Sequence, residues 1–422
     1  MLKKFFTAAV LSSVIFAGSA FAKETVVWWD FLGGGDGVRM KQLISDFNKE
    51  MDGKVEIQGS TLDWGVPFYS KVQTSAAVGE APDVMTYHAS RIPLAVKQGI
   101  LQEITADDFK AMGFGQGDFA TATWDAVTID GKQYAVPLDT HPIVLYYNKA
   151  ILGKAGLLDA NGKPMGLNGA ANFKAAMAKA KEAGAKWGIA GVTADGNFMY
   201  RTIYSLMGQQ GGELMTNGEF LAGDNGQKMQ TALATIADWT KSGLQSPYTD
   251  YPSTVALFTS GGAAFMINGV WEVPTMTDLN KAGKLFDWGA IELPVLFDKP
   301  STYADSHTFA IPANKGKEMT AEKRAAVLSV ISWIDKHSLF WATAGHIPAY
   351  APVTQSDEYK KMEPNATYSS LTANMIFDPK SPLAGIAGPI FDVMSTYFVP
   401  TQNGEMDPAE AVAKIKEELN NL

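Results

Sequence analysis

The sequence predicts an α/β fold with parallel strands, and three observations carry that expectation. Short apolar runs alternate with helical patterns in the order strand–helix–strand. Breaks rich in glycine, proline and polar residues separate them. The same alternation resumes in the second half of a chain of 422 residues that is 46% hydrophobic, enough to bury a large core and to divide into two domains.

Glu24 to Phe31 reads as a buried strand. Gly33-Gly34-Gly35-Asp36-Gly37 follows, then a helix whose apolar positions Met40, Leu43, Ile44, Phe47 and Met51 recur at helical spacing. Asp36 is the expected N-cap, since its carboxylate would accept from the first free backbone N–H groups. Lys54 to Gln58 alternates as a second strand, and a helix over Tyr69 to Val78 stops at Gly79-Glu80-Ala81-Pro82 before a third strand, Asp83 to Tyr87. Later, Phe173 to Ala183 is an alanine-rich helix and Trp187 to Val192 a strand. Met229, Leu233, Ile236 and Trp239 form one face of a helix ending at Ser242-Gly243. Ala263 to Ile267 is an apolar strand ending at Asn268-Gly269, and Tyr303 to Pro312 is another strand. Ala321 to Lys336 is a helix with Ala325, Leu328, Ile331 and Trp333 or Ile334 inward. Asp159 to Gly169, polar and glycine-containing, is a surface connection.

The chain opens with Lys3 and Lys4, an apolar run from Phe5 to Ala17 and the small-residue ending Ala20-Phe21-Ala22. That is the pattern of a cleavable secretory signal over residues 1–22. The run is too short for a comfortable membrane span, and no other apolar run approaches the roughly 18 residues a span needs. The absence of cysteine excludes disulfides, thiolate metal sites, a cysteine nucleophile and a lipid-bearing cysteine. An exported, unlipidated chain fits the periplasm of a double-membraned bacterium. A formal charge of −9 without a basic stripe makes nucleic acid and anionic membrane poor partners.

The glycine run at Gly33 to Gly37 lacks both the Gly-Lys-Ser/Thr ending of a nucleotide loop and Gly-x-Gly-x-x-Gly spacing, so it reads as a tight strand-to-helix turn. His88, His141, His307, His337 and His346 show no short metal-binding spacing, and no metal or other cofactor is expected. No Gly-x-Ser-x-Gly nucleophile elbow is present.

Four segments, in order and spread over most of the chain, carry a family resemblance. They are Gly79-Glu80-Ala81-Pro82-Asp83-Val84; Gly131 to Pro137 followed by Tyr146-Tyr147-Asn148-Lys149; Ala263 to Trp271; and Gly345-His346-Ile347-Pro348-Ala349. Together they resemble the family 1 extracellular solute-binding proteins of ABC importers, the maltose-binding-protein-like group. The resemblance implies a two-lobed periplasmic binding protein fold with the ligand cleft between the lobes. It puts residues 23–139 and 304–345 in an N-terminal lobe and residues 140–303 and 346–422 in a C-terminal lobe. The crossings would fall near Leu138 to Ile143, Tyr303 and Gly345.

The resemblance also carries over candidate ligand-binding residues. Tyr87 stands where the family has a stacking Trp, Arg91 where it has a sugar-contacting Arg, and Ser90 where an Asp would accept hydroxyls. His141 takes a carboxylate position, and Trp271 matches a stacking Trp. Trp29, Asp30 and Asp36 lie on the first strand-to-helix loop; His307 and His346, with Asn197 and Tyr200, complete the set. The family's late C-terminal Trp has no clear counterpart here, and Phe391 and Tyr397 are the candidates for its place. Each has a structural alternative: core packing for Trp271, packing and a surface ion pair for Tyr87 and Arg91, a hydrogen-bonded crossover histidine for His141, a turn cap for Asp30. Of Trp28 and Trp29, at most one faces a cleft, because successive strand residues point to opposite sides. The implied function is capture of a mono- or oligosaccharide by a monomer that does no catalysis and delivers its ligand to a membrane permease. The rivals are a secreted glycoside hydrolase, whose carboxylate pair is defined only in space, and a binding protein for a polyamine or glycerol-phosphate.

Overall fold

The computed structural model describes residues 23–422, so the signal sequence read over residues 1–22 lies outside the described residues. The chain starts with β1 (Glu24–Asp30), α1 (Gly34–Glu50), β2 (Val55–Thr61), α2 (Val66–Ala77) and β3 (Val84–His88). β1 pairs in parallel with β2 on one side and β3 on the other, as the alternation predicts. Pro67 lies in the first turn of α2, where its missing N–H costs nothing, and this helix begins earlier than its apolar pattern indicates. β4 (Val136–Pro137) follows, then the long β5 (Asp139–Asn148), which is buried along its whole length.

The second half supplies α3 (Ala170–Glu182), β6 (Trp187–Ala190), α4 (Gly196–Gln209), α5 (Asn225–Lys241), α6 (Tyr251–Thr259), β7 (Ala263–Gly269), α7 (Val273–Lys281) and β8 (Trp288–Ile291). Then come β9 (Thr302–Asp305), β10 (His307–Ala310), α8 (Ala321–Lys336), β11 (Ile347–Pro348), β12 (Met375–Ile376), α9 (Pro389–Gln402) and α10 (Pro408–Asn421). Two main sheets result. The first has the order β2-β1-β3-β10-β4; the second has the order β12-β9-β5-β7-β6, with β8 and β11 also on β5.

The sheets are mixed rather than wholly parallel. β5 runs antiparallel to β7, β8, β9 and β11, and β10 runs antiparallel to β3 and β4. The antiparallel strands are those near which the chain passes from one sheet to the other, so they enter against the direction set by the βαβ units. The single strand expected over Tyr303 to Pro312 is two strands in different sheets, parted at Ser306. Asp305 holds that break: its Oδ1 accepts from the Ser306 N–H at 2.8 Å and the Ser90 N–H at 3.1 Å, and its Oδ2 accepts from the Ser90 hydroxyl at 2.5 Å.

Two finer expectations also change. The N-cap of α1 is Gly33, whose carbonyl accepts the first helical bond from the Gly37 N–H at 3.0 Å. Gly34, at φ 52°, turns the chain early, which places Asp36 inside the first turn and frees its carboxylate for other partners. In α8, Ala325 faces solvent, while Ala326, Val327, Val330, Ile331 and Ile334 are buried against the first sheet and α1. Each fully buried Val or Ile contributes about 1.5–3 kcal/mol. Helix α4 is buried on nearly every side, between α9, α5 and β9, so its polar residues must find partners or open space within the protein.

Candidate ligand-binding cleft

A cleft of about 710 Å³ opens between the two sheets, within the range of small-molecule sites. One wall comes from the first sheet. The loop after β1 contributes Phe31, Leu32, Gly33, Gly34, Gly35 and Asp36, and the end of β2 and the loop beyond it contribute Thr61, Leu62, Asp63 and Trp64. Trp64 is 49% exposed, a large apolar ring left uncovered at the cleft. His88, at the end of β3, stacks on Phe31 at 4.5 Å and shares a 2.5 Å hydrogen bond with the Tyr69 hydroxyl. Burial, with His307 and His141 nearby, holds its pKa well below the usual histidine value.

The opposite wall comes from the second sheet. Asp195 caps α4, and Asn197, Phe198 and Arg201 follow along that helix; Tyr251, Trp271, Glu272 and Thr275 complete the wall. The Trp271 indole N–H donates to the Tyr251 hydroxyl at 2.7 Å, and that hydroxyl donates to Glu272 Oε1 at 2.5 Å. The ring lies over Gly269 so closely that a Cβ there would sit 2.1 Å from it. Glycine at this position thus lets the indole lie flat against the strand end. The Arg201 guanidinium stands 5.9 Å from the Trp271 ring and donates to the Asn197 carbonyl at 3.1 Å. Among the described residues it has no carboxylate at ion-pair distance. Burial raises the Glu272 pKa against the opposing hydrogen bonds from Tyr251 and Thr275.

The floor is polar. Asp139, fully buried, accepts from the Trp341 indole N–H at 2.7 Å and the His307 backbone N–H at 2.9 Å. It also shares hydrogen bonds with the Nδ1 atoms of His307 at 2.9 Å and His141 at 3.1 Å. Burial opposes its charge, but His307, His346 and these hydrogen bonds outweigh burial and hold its pKa well below the carboxylate range. Burial, with help from His307, brings His141 down to about 3. His346 is the opposite case: burial works against its charge, yet Asp36 and Asp139 prevail and raise its pKa.

The nine candidate residues divide accordingly. Asp36, His141, Trp271 and His307 line the cleft. His346 is fully buried behind them and joins Asp36 across 3.0 Å. Trp29, Asp30, Tyr87 and Arg91 do not line it. Trp29 lies half-buried with Lys71 at 5.8 Å from its ring, and Trp28 is core, donating to the Thr86 hydroxyl at 3.1 Å. Asp30 Oδ1 accepts from the Leu32 N–H at 2.9 Å, a turn cap, and burial raises its pKa. Tyr87 is 2% exposed, edge-on to Tyr69 at 5.2 Å, and burial pushes its hydroxyl up to about 12. Arg91 is 8% exposed, its guanidinium 4.5 Å from the Tyr69 ring. Of the additional candidates, Asn197 lines the cleft, whereas Tyr200 is buried and donates to Asp378 at 2.5 Å. Phe391 is core, and Tyr397 donates to Glu418 on α10, so neither lines the cleft.

Trp64, His88, Arg201, Tyr251 and Glu272 were not singled out by sequence. Asp195 before Gly196-Asn197 is a legible helix start, and Arg201 lies one turn beyond it. Nothing local marks Trp64 or Tyr251.

Two glycines of the first turn of α1 are crowded. At Gly37 a Cβ would meet the Leu32 carbonyl oxygen at 2.3 Å. At Gly35 it would strike Pro274, at the start of α7 on the far side of the cleft, also at 2.3 Å. Arg39 of α1 joins this contact, reaching Asp278 of α7 at 3.5 Å and the Thr343 carbonyl at 3.1 Å.

Residues 42–368 match the family of bacterial extracellular solute-binding proteins. A galactooligosaccharide-binding protein of Bacillus subtilis (strain 168) is 24% identical over 336 residues, covering 74% of this chain and 70% of that protein. The maltodextrin-binding protein MdxE of the same organism is 28% identical over 267 residues, 61% of this chain and 57% of its own length. Among solved structures, the GacH receptor of Streptomyces glaucescens, determined unliganded and with acarbose, superposes with a TM-score of 0.78 at 20% identity, over 94% of this chain and 98% of that one. Lmo0181 of Listeria monocytogenes, in complex with cycloalternan, gives 0.76 at 18% identity over 94% and 98%. UgpB of Mycobacterium tuberculosis, in complex with glycerophosphocholine, gives 0.77 at 17% identity over 94% and 97%. At these identities the structures speak for the two-lobed α/β fold.

Proposed function

The chain belongs to the bacterial extracellular solute-binding protein family, and from that premise we propose that it is the periplasmic sugar-binding component of an ABC importer. The observation that carries this reading is the Trp271 wall. An indole pinned at its N–H by Tyr251 and laid flat on Gly269 is presented beside Arg201 and Asn197. A sugar has C–H faces that suit such a ring and a hydroxyl rim that suits directional donors and acceptors. The first-sheet wall offers the complementary set, with Trp64, the bare backbone of Gly33 to Gly35, and Asp36. The names of the two B. subtilis relatives favour an oligosaccharide within the expected mono- or oligosaccharide class.

The two closing lobes follow the two sheets, residues 23–138 with 306–345 and residues 139–305 with 346–422, so the expected bounds at 139/140 and 303/304 shift to the start of β5 and to the break at Ser306. Closure is stabilised by ligand contacts absent from the open form, and the closed form docks on a membrane permease. The protein works as a monomer without catalysis, after export and cleavage behind Ala22. Among the described residues no helix is long and apolar enough to cross a membrane.

The test is a thermal-shift screen of the mature chain over sugars, polyamines and phosphate esters, because a ligand that binds only the native state raises its melting temperature. A sugar is expected to give the largest shift, and calorimetry on that sugar to show a single site. A shift with a polyamine or phosphate ester alone overturns the sugar reading. Release of monosaccharide from a bound oligosaccharide, lost on changing one cleft carboxylate, overturns the non-catalytic one.

A further inference from the structure

We propose that Asp139, His141, His307 and His346 form a binding site for a divalent transition-metal cation of the zinc type, at the floor of the cleft where the chain passes between the two sheets. The inference stands independently of which sugar the cleft takes.

Four of the five histidines of the chain lie together here. The His141 and His307 rings are 4.3 Å apart, and His346 is 5.2 Å from His307 and 5.7 Å from His141. One potential ligand atom from each of His141, His307, His346 and Asp139 falls within 4.8 Å of all the others, and all four residues are buried. The Nδ1 atoms converge on Asp139, at 2.9 Å for His307, 3.1 Å for His141 and 3.5 Å for His346. A tetrahedral ion with bonds of about 2.0–2.1 Å holds its donors about 3.3 Å apart. The Asp139 separations lie close to that figure, with His141 on Oδ1 and His307 and His346 on Oδ2, and the remaining donor pairs must close from at most 4.8 Å.

His346 adds an independent sign. It is fully buried, and its Nδ1 has no hydrogen-bond partner among the described residues. Its Nε2 is engaged by Asp36 at 3.0 Å. A histidine oriented through one nitrogen by a carboxylate, with the other nitrogen turned toward a cluster of donors, has the arrangement typical of a metal ligand and its supporting shell.

Charge points the same way. Asp139 is a fully buried carboxylate that no lysine or arginine among the described residues reaches, so its countercharge there comes from protonated imidazole or from a cation among the rings. A set of three imidazoles and one carboxylate suits zinc, cobalt or nickel. Calcium and magnesium need more oxygen ligands than are present. A second grouping, His88, His141 and Asp305, offers two imidazoles rather than three and shares His141 with the first.

The four ligands come from separate stretches of chain: Asp139 and His141 from β5, His307 from β10, and His346 from the approach to β11. A bound ion would therefore tie together three passages between the sheets. Each imidazole must offer an unprotonated nitrogen to the ion, so uptake competes with protonation and should weaken as pH falls.

The experiment uses untagged, chelator-treated mature protein and the metals alone, without sugar. Zn²⁺ titrated by calorimetry should bind with one-to-one stoichiometry. Co²⁺ should give the intense visible bands of tetrahedral coordination. His346→Gln and His307→Gln should each weaken binding by about 100-fold, while His337→Gln, at the exposed end of α8, should change nothing. Circular dichroism on each variant separates lost ligation from lost folding, and the Co²⁺ spectrum of the unaltered protein decides the geometry without any variant. The absence of stoichiometric binding, a weak octahedral Co²⁺ spectrum, or binding that survives His141→Gln/His307→Gln/His346→Gln would each overturn the site and leave the cluster as a hydrogen-bonded joint.

Discussion

The floor of the cleft and its Trp271 wall are both rich in polar and aromatic side chains, but they use them in opposite ways. On the floor, polar atoms are spent on one another: Asp139 alone engages Trp341, His141 and His307, the last through both backbone and ring. On the wall, hydrogen bonds fix the edges of groups whose faces stay free. Tyr251 holds the Trp271 N–H, while the indole remains half-buried with Arg201 beside it. A satisfied network stabilises the fold, whereas a held edge with an open face presents a surface to something else. Changes at Asp139 should therefore register in stability, and changes on the wall in sugar binding.

The largest effect should come from Asp139→Ala, which leaves several buried donors without their acceptor and His346 without one of its two neighbouring carboxylates. Denaturant unfolding should show a loss of about 3–5 kcal/mol. A loss below 1 kcal/mol would remove the distinction between floor and wall. Next, Trp271→Ala should weaken sugar binding by about 1–3 kcal/mol in calorimetry, with a much smaller change in unfolding. The reverse pattern, normal binding with easier unfolding, would make Trp271 part of the core. Tyr251→Phe keeps the ring but removes the hydroxyl that orients Trp271. It should weaken binding by about 0.5–1.5 kcal/mol, and an unchanged affinity would show that Gly269 alone positions the indole.

The effect that vanishes in acid and grows with pH belongs to Asp335, behind the floor on α8. It is fully buried, and neither carboxylate oxygen has a hydrogen-bond partner among the described residues. Burial, and then the nearby Asp139, raise its pKa well above 3.8. Below pH 3.8 both the folded and unfolded chains keep this proton, so Asp335→Asn should match the parent there. As pH rises, the unfolded chain ionises freely while the folded one resists, and the parent loses stability that the variant keeps. Unfolding measured at several pH values should show the variant gaining on the parent from about pH 4 upward. Parallel curves would mean that Asp335 has a partner in solution.

Much of the fold is legible in local pattern. The βαβαβ start and α8 follow from spacing alone, and β7 ends at the Asn268-Gly269 signal. The break at Ser306 is not legible, because a continuous apolar run does not reveal that its two halves join different sheets. The partition of the site follows the same logic. Trp271 and His141 sit at strand ends facing the cleft, where position along the chain is informative. Tyr87 and Arg91 also lie at a strand end, but Tyr69 of α2 folds over them, a contact that strand pattern cannot anticipate. Arg201 and Tyr251 come from helices whose cleft-facing residues depend on how the second sheet packs.

The bare backbone of Gly35 against Pro274 sets the thickness of the gap between the two halves. With no side chain to compress, the two surfaces meet at the limit of atomic contact. A single methyl group there would act as a shim, holding the jaws slightly apart while leaving every recognition group in place. Gly35→Ala would therefore separate recognition by each wall from their joint grip, and the affinity it removes would measure how much of binding resides in the final ångström of closure.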